Sequence, residues 1–512
     1  MEGYILAHDV GTGGNKAVLV TPAGEIRGST MATYETSYPH PDWAEQNPED
    51  WWQAVATSTR ELLQQTGVSP KEILAVVCST QMLGVVPVTA QGQPLRPGII
   101  WLDGRAREQA RQVMARLGGP WLFAQIVGAA LGGKDVLPKY LWLKQHEPEV
   151  FARTDKFLDV GGYLLLRATG KMAFEWSAAS VTGLFNMKRK EWDRFLMRFF
   201  GLPPEKFPPL YRSFDQVGGL RADAAADCGL LEGTPVFAGA GDAPSAAVGS
   251  GAVGEGEGHI YLGTSGWVGV VQEANPTGKH GIAAIQSADP KMAFLIAETE
   301  TAGACLQWIA DQFYREEQQD PRVGNVFRLM DEAVEKVPPG SGYLLFTPWM
   351  YGERVPVSDA YVRSTFVNLS YDHTREHMLR AVYEGVAYNL RWMLELMSRS
   401  FGYHRDTIRV MGGGARGAPW MQIIADVTGK RIETVPNPQA AGAVGCALIA
   451  AIGLGIYPDF AALKEVIRVE RTFAPRPENR AIYDSLYQRF KEIYRALRGV
   501  YRRINQERFA AH

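Results

Sequence analysis

Cysteine is scarce in this chain. Its four copies, Cys78, Cys228, Cys305 and Cys446, are widely scattered among 512 residues, with no CxxC pair and no metal-ligand spacing. That excludes a disulfide scaffold and a zinc module, and it predicts reduced, mostly buried thiols in a cytoplasmic protein. A surplus of one charge is also missing: 53 Lys and Arg face 55 Asp and Glu, for a net charge of −2. The balance gives no electrostatic case for nucleic acid or an acidic membrane as partner. Long apolar runs are absent apart from residues 440–457, a stretch of 18 residues without a charge. That length is near the threshold for a membrane span. The stretch is mostly Ala and Gly, Gly453-Leu454-Gly455 breaks its end, and Pro458-Asp459 follow without a positive flank. A buried small-residue helix is the expectation, and no membrane partner. The start, Met1-Glu2-Gly3, lacks the positive segment of a secretory leader, and Asp9 cuts its apolar stretch short.

What is present is an ordinary globular composition, 46% hydrophobic and 21% charged, with length for two to four domains. Strand-like runs at 4–8, 17–20, 73–78, 85–88 and 99–101 alternate with helical patterns at 49–65 and 104–117. The second helix is stopped by Gly118-Gly119-Pro120. Residues 137–146 and 154–169 read as mixed and mostly helical, and 203–209 as a proline-dense connection. A strand is expected over 234–240, and the Gly/Ala stretch 249–258 reads as an interdomain hinge. Residues 374–400 place Leu379, Val382, Val386, Leu390, Met393 and Met397 on one helix face. A strand at 408–411 and a helix at 420–428 follow. The last helix, 480–509, is expected to bury Tyr483, Leu486, Tyr487, Phe490, Ile493, Tyr494, Leu497, Val500, Tyr501 and Ile504. Its arginines Arg495, Arg498, Arg502 and Arg503 read as a solvated face, interrupted by Glu492 and Glu507.

Within this order one pattern occurs twice. An apolar strand runs into Asp9-Val10-Gly11-Thr12-Gly13-Gly14-Asn15-Lys16 and on into a second strand. About 250 residues later, His259-Ile260-Tyr261-Leu262 runs into Gly263-Thr264-Ser265-Gly266 and then Trp267-Val268-Gly269-Val270-Val271. Each is a hairpin whose tip offers small residues, backbone N–H groups and a hydroxyl, which suits a phosphate. A single such tip is usually only a tight turn. Two copies suggest a duplicated fold that clamps one nucleotide.

Four further elements could carry chemistry. Asp9 ends a strand beside the first tip, where a hard oxygen ligand suits Mg2+, or where it simply caps the turn. Asp242, in Gly239-Ala240-Gly241-Asp242-Ala243-Pro244, leaves an apolar strand between small residues. It could take a proton from a substrate hydroxyl in phosphoryl transfer, start a helix, or do both. Gly412-Gly413-Gly414-Ala415 could let a nucleoside lie on bare backbone, and Gly303 opens a helix that could approach it from the other side.

The set resembles the FGGY carbohydrate kinase family, and its xylulose kinase branch most. The residues that carry the resemblance are Asp9-Val10-Gly11-Thr12 with Lys16, Trp43-Ala44-Glu45-Gln46-Asn47-Pro48 with Trp51-Trp52, Gln81-Met82, and Trp101-Leu102-Asp103-Gly104-Arg105. They continue with Pro138-Lys139, Trp142 and Lys144, then Gly241-Asp242, Leu262-Gly263-Thr264-Ser265-Gly266, Gly352-Glu353-Arg354 with Pro356, Glu384-Gly385 with Ala387, and Gly412 to Ala415. They stand in family order over nearly the whole chain.

The resemblance implies an α/β, actin-like ATPase fold: two ribonuclease-H-like domains flanking a deep cleft, with ATP held mainly by the second. It implies a sugar-binding domain at 1–249, an ATP-binding domain at 250–456, and a helical extension at 457–512 packed on the core. Carried over by position, Asp242 is the general base and touches the sugar, and Asp9 helps hold Mg2+. Gly11, Thr12, Gly13, Lys16, Gly263 and Thr264 meet the phosphates of ATP. Gly303, Gln307, Gly413, Gly414 and Ala415 line the nucleotide, while Gln81, Met82, Trp101 and Asp103 line the sugar side. The implied reaction is ATP-dependent phosphorylation of a small sugar, D-xylulose first, with ribulose, a pentitol or gluconate as alternatives. A homodimer is common among such kinases. A sugar sensor without activity, or an ATPase clamp of the actin kind, would share the fold. The first would have lost Asp9, Thr12 or Asp242, and the second would lack the Trp-x-Glu-Gln-x-Pro and Gln-Met segments. The chain leaves the xylulose kinase pattern at Leu83, usually His, and at Ala243, usually Asn. Both changes remove polar groups of the kind that decide selectivity.

Overall fold

The computed structural model describes residues 3–119, 122, 130–273 and 276–510. Met1, Glu2 and Pro120 lie outside the described residues, and with them the expected leader-free start and the helix stop at Pro120. The chain forms two lobes, each built on a seven-stranded sheet. In the first lobe the strands are β1 (Tyr4–Val10), β2 (Gly14–Val20), β3 (Ile26–Thr33), β4 (Ile73–Thr80), β5 (Gln216–Gly219), β6 (Pro235–Phe237) and β7 (Ala240–Gly241). Their order is β5-β6-β4-β1-β2-β3, with β7 beside β4. The second lobe holds β8 (Gly258–Leu262), β9 (Gly266–Gln272), β10 (Ala283–Gln286), β11 (Ala293–Thr299), β12 (Thr407–Met411), β13 (Arg431–Thr434) and β14 (Arg471–Phe473), in the order β10-β11-β9-β8-β12-β13-β14.

The two sheets share a pattern. β1 pairs antiparallel with β2 and parallel with β4, as β8 pairs antiparallel with β9 and parallel with β12. The antiparallel run continues through β3 and β11, and the parallel run through β6 and β13. The central strands read as continuous apolar runs because both of their faces are covered. The repeated hairpin of the sequence is thus the visible part of a repeated sheet.

Ten helices matter here: α1 (Pro48–Thr66), α2 (Arg107–Arg116), α3 (Val136–His146), α4 (Val160–Thr169), α5 (Asp242–Ser250), α6 (Gly303–Phe313), α7 (Arg375–Phe401), α8 (Ala418–Thr428), α9 (Ala441–Gly453) and α10 (Arg480–Ala510). α5 leaves the first sheet and α9 leaves the second, and the two pack against each other between the lobes. Only small residues permit that approach. A Cβ on Gly249 would strike the Ala441 carbonyl, and one on Gly445 would strike that of Ser245. Ile5, Ala7 and Val18 from the first sheet, Trp267, Phe294 and Ile296 from the second, and Ala246, Ala447 and Ile449 from the helix pair form one core. The Ala/Gly run is therefore α9, apolar all round because it is covered all round. Among the described residues no helix is long and apolar enough to cross a membrane.

Several expectations need correction. The strand expected over 234–240 breaks at Gly239, which sits at φ 72 where a Cβ would collide with the Cys78 carbonyl. The expected hinge begins too early, because Gly249 lies inside α5, and Gly251 at φ 75 ends that helix. The segment after 456 is more than helical: β14 joins the second sheet by pairing with β13. On α10, Val500 and Ile504 are 39% and 60% exposed, while Tyr483, Leu486, Tyr487, Phe490, Ile493 and Tyr501 are buried as the pattern indicated.

Candidate active site

The hairpin tips are built alike. Gly11 N donates to Gly14 O at 3.0 Å and Gly263 N to Ser265 O at 3.0 Å. Beyond each closing bond two N–H groups make no hydrogen bond within the described residues: Thr12 and Gly13 in the first tip, Thr264 and Ser265 in the second. Such paired free donors are what a phosphate group accepts from. Gly413 and Gly414 likewise open a helical turn with unused N–H groups. A Cβ on Gly13 or on Gly413 would meet nothing within 4 Å. Packing does not demand glycine at either place, so both leave room for something that is not protein.

The tips differ in what stands behind them. In the first, side chains donate to the oxygens of Gly11 and Thr12. Tyr34 OH and Gln81 Nε2 (3.2 Å) donate to Gly11 O, Gln46 Nε2 to Thr12 O at 2.7 Å, and Trp101 Nε1 to Thr12 Oγ1 at 2.8 Å. Gln46 is itself held by Trp51 Nε1 at 2.9 Å. In the second, the backbone of the α6 entry does the same: Gly303 N donates to Gly263 O at 2.8 Å, and Ala302 and Ala304 N to Thr264 O at 2.9 and 3.1 Å. Gly303 must be glycine, since a Cβ there would stand 2.5 Å from Gly263 O.

Two carboxylates stand near one another, Asp9 just before the first tip and Asp242 at the head of α5. Asp9 ends β1, pairs across the ladder with Lys16, and accepts from Ser79 Oγ at 3.2 Å. Burial pushes its pKa up, while Lys16 and the Ser79 hydroxyl pull it down. A Cβ on Gly442, at the start of α9, would stand 3.3 Å from Asp9 Oδ2, so the second lobe approaches this carboxylate closely. Lys16 Nζ reaches across as well, to Gln439 O at 2.8 Å. Asp242 is the first residue of α5, and its Oδ1 accepts from Ala243 N at 2.8 Å. Burial, then the charge of Asp9, pushes its pKa up to about 7.

On the expected sugar side, Met82 and Trp101 are half-buried, and Met82 lies against Gly241 so closely that a Cβ there would overlap its sulfur. Gln81 is buried with its amide spent on Gly11 and Gln46, and its Oε1 has no partner. Asp103 needs correction as a sugar contact. It is fully buried, accepts from Ala44 N at 2.7 Å, and forms a bidentate pair with Arg105. Arg105 in turn lies over Trp43 and pairs with Glu45. This group is bonded within the interior of the first lobe. Ala415 is corrected too: with 0% exposure it packs in the core of the second lobe, with Trp420 and Val410, and cannot line a nucleotide. Gln307 is exposed on α6 and bonded to Asp311 at 2.8 Å. Of the two departures, Ala243 is buried in the core between the lobes, and Leu83, at φ 62, is half-buried against a core of the first lobe.

Sequence reasoning assigned no role to one more group. Glu353 is buried and accepts from Thr299 Oγ1 (2.7 Å), Asn389 Nδ2 (2.9 Å), Glu300 N (3.1 Å) and Arg354 N (2.8 Å). Burial nevertheless pushes its pKa up to about 8. Arg354 pairs with Glu298 and Glu300, and Lys134 of the first lobe reaches Glu300 at 3.5 Å. The signal was there, in the Gly352-Glu353-Arg354 block, but nothing local says that it braces the rim of β11 or meets the other lobe.

Two matching lobes, two hairpin tips with unused N–H groups and two neighbouring carboxylates suit a nucleotide-dependent phosphotransferase on the actin-like ATPase fold. Residues 4–249 match the N-terminal domain, and residues 258–454 the C-terminal domain, of the FGGY family of carbohydrate kinases. The chain is 33% identical over 493 residues, 96% of each sequence, to a xylulose kinase of Bacillus subtilis, and 27% identical over 506 residues, 98% of each, to a gluconokinase of that organism. Its fold superposes with a TM-score of 0.86 on the crystal structure of a ligand-bound xylulose kinase from Lactobacillus acidophilus, at 24% identity, covering 98% of this chain and 99% of that one. The chain belongs to the FGGY family of carbohydrate kinases and is a sugar kinase.

Proposed function

We propose that this kinase transfers the γ-phosphoryl group of MgATP to a primary hydroxyl of a small neutral sugar, with D-xylulose the first candidate. The observation that carries the reading is Asp242: a carboxylate at the head of α5, next to Asp9, with a proton affinity tuned to neutral pH. It accepts the sugar hydroxyl proton as the oxygen attacks in line. The free N–H groups of Thr12, Gly13, Thr264 and Ser265 donate to phosphate oxygens from the two sides. Gly413 leaves its backbone open to the nucleoside, and Lys16 ties the first cradle to the second lobe. Mg2+, which binds hard oxygens and keeps most of its waters beside phosphates, suits Asp9 and would neutralise phosphate charge there. Closure of the lobes excludes water, the competing acceptor.

A neutral acceptor is favoured over a sugar acid by the state of the cations near the sugar side. Arg354 is paired with Glu298 and Glu300, Lys134 with Glu300, and Arg105 with Asp103 and Glu45, while Lys139 is spent on two backbone carbonyls. An incoming carboxylate would have to break one of these pairs to be recognised. An ADP-release screen over D-xylulose, ribulose, fuculose, gluconate, glycerol and pentitols tests this. D-xylulose should show the highest kcat/KM; gluconate outrunning every neutral acceptor would overturn the neutral-sugar reading, and silence on all would overturn the kinase reading.

A further inference from the structure

Lys139 is a buried cation whose purpose the reaction does not explain. It stands in the second turn of α3 with 0% exposure, and its Nζ donates to Leu83 O at 3.0 Å and to Ile100 O at 2.9 Å. The two carbonyls belong to the two separate segments that form the sugar side, Gln81-Met82-Leu83 and Trp101. We propose that Lys139 is a positioning residue of the acceptor site, clamping these two segments in one geometry by bonding a backbone carbonyl of each. The inference rests on the sugar-side reading above and goes beyond it.

The chemistry supports a clamp over a mere filler. Burying an ammonium is costly, and a leucine or methionine of similar length would pack the same space without that cost. Burial pushes the pKa of Lys139 down to about 7, with Asp103 and Asp135 holding it up and Arg105 and Lys134 pressing it down further. The clamp also meets a specific need. Leu83 adopts the left-handed conformation, φ 62, which a bulky side chain rarely takes. Ile100 O has a second donor, Asp103 N at 3.1 Å, whereas no other donor among the described residues reaches Leu83 O. Lys139 is thus what holds Leu83 in place, and Met82 before it lies against Gly241, one residue from Asp242. On the other arm, Ile100 precedes Trp101, whose indole holds the Thr12 hydroxyl. One side chain therefore links the acceptor wall to the first phosphate cradle.

Two measurements on the full chain test this with Lys139→Met. Hydrogen exchange of the ligand-free protein should quicken about tenfold or more in peptides covering 81–85 and 99–103, with 262–266 unchanged, as befits loss of a local clamp. With D-xylulose and MgATP, the sugar KM should rise about tenfold while the ATP KM stays within about twofold, the loss expected for one charge-assisted hydrogen bond. The double variant Lys139→Met with Leu83→Asn should recover most of the sugar KM relative to Leu83→Asn alone, because Asn tolerates the left-handed region without a clamp. Unchanged exchange in both sugar-side peptides, or equal rises in the two KM values, overturns the proposal. If the wild type is silent on every acceptor, the sugar-kinase reading fails instead, and the exchange experiment alone decides the clamp.

Discussion

The two phosphate cradles share a backbone plan and differ in what braces them. The first is held by side chains from elsewhere in its lobe: Tyr34, Gln46, Gln81 and Trp101 donate to the oxygens of Gly11 and Thr12. The second is held by main chain, through the N–H groups at the entry of α6. A side-chain brace can be shared. In the reading proposed above, Trp101 and Gln81 stand in the acceptor wall while bonded to the first cradle, so that sugar and terminal phosphate would meet one connected structure. Among the described residues no side chain of that wall is bonded to the second cradle, which in the same reading meets the nucleotide alone. A duplicated unit has been divided in labour without changing its backbone.

The sharpest way to break this division is at the carboxylate between the halves. Asp242→Asn should lower turnover by about 10³-fold or more, in the range for loss of a general base, with ATP affinity by calorimetry kept. The same change should raise the melting temperature of the ligand-free protein at pH 8. The sign follows from linkage: a carboxyl whose folded pKa, about 7, lies above its unfolded value costs stability when ionised. The gain should therefore shrink as pH falls from 7 toward 4 and vanish below it. A variant that melted lower at pH 8 would contradict the raised affinity.

In the wild type, kcat/KM should fall about tenfold per pH unit below pH 7, because the base must be ionised. A flat profile down to pH 5.5 would remove Asp242 from that role. A smaller effect separates the cradles. Gly413→Ala adds a methyl that the empty protein accommodates, so the melting temperature should hold while the ATP KM rises about tenfold and the sugar KM does not move. Smallest of all, Trp101→Phe removes one hydrogen bond to Thr12 and should raise both KM values about fivefold, the worth of roughly 1 kcal/mol. A shift in only one of them would show that the first cradle and the acceptor wall are independent.

The repeated hairpins were legible because each is local: strand, small-residue tip and strand lie within residues 4–20 and 258–272, and period and composition report them directly. The helix face of α7 and the burial of the Ala/Gly run were legible for the same reason. Sites of long-range bonding were not. Asp103 reads as an available carboxylate until Arg105 and Ala44 N are seen to consume it, and the Gln81 amide as wholly available until its Nε2 is found on Gly11 and Gln46, with only Oε1 left open. Ala415 follows an open glycine run and yet is fully enclosed. Gly239 marked a turn only because the Cys78 carbonyl passes beside it.

By itself the sequence determined that two Gly/Thr hairpins recur, that a carboxylate follows an apolar strand into a helix before the second of them, and that the chain carries the motifs of a sugar kinase. Those are properties of neighbours in the chain, set by backbone propensity and apolar period. The tertiary structure alone decided which polar groups are free to act and which are spent. A donor or acceptor can act on a ligand only if no nearer partner has satisfied it, and for Asp103, Gln81 and Lys139 that partner, or one of them, stands tens of residues away, at Ala44, at Gln46 or Gly11, and at Leu83 or Ile100.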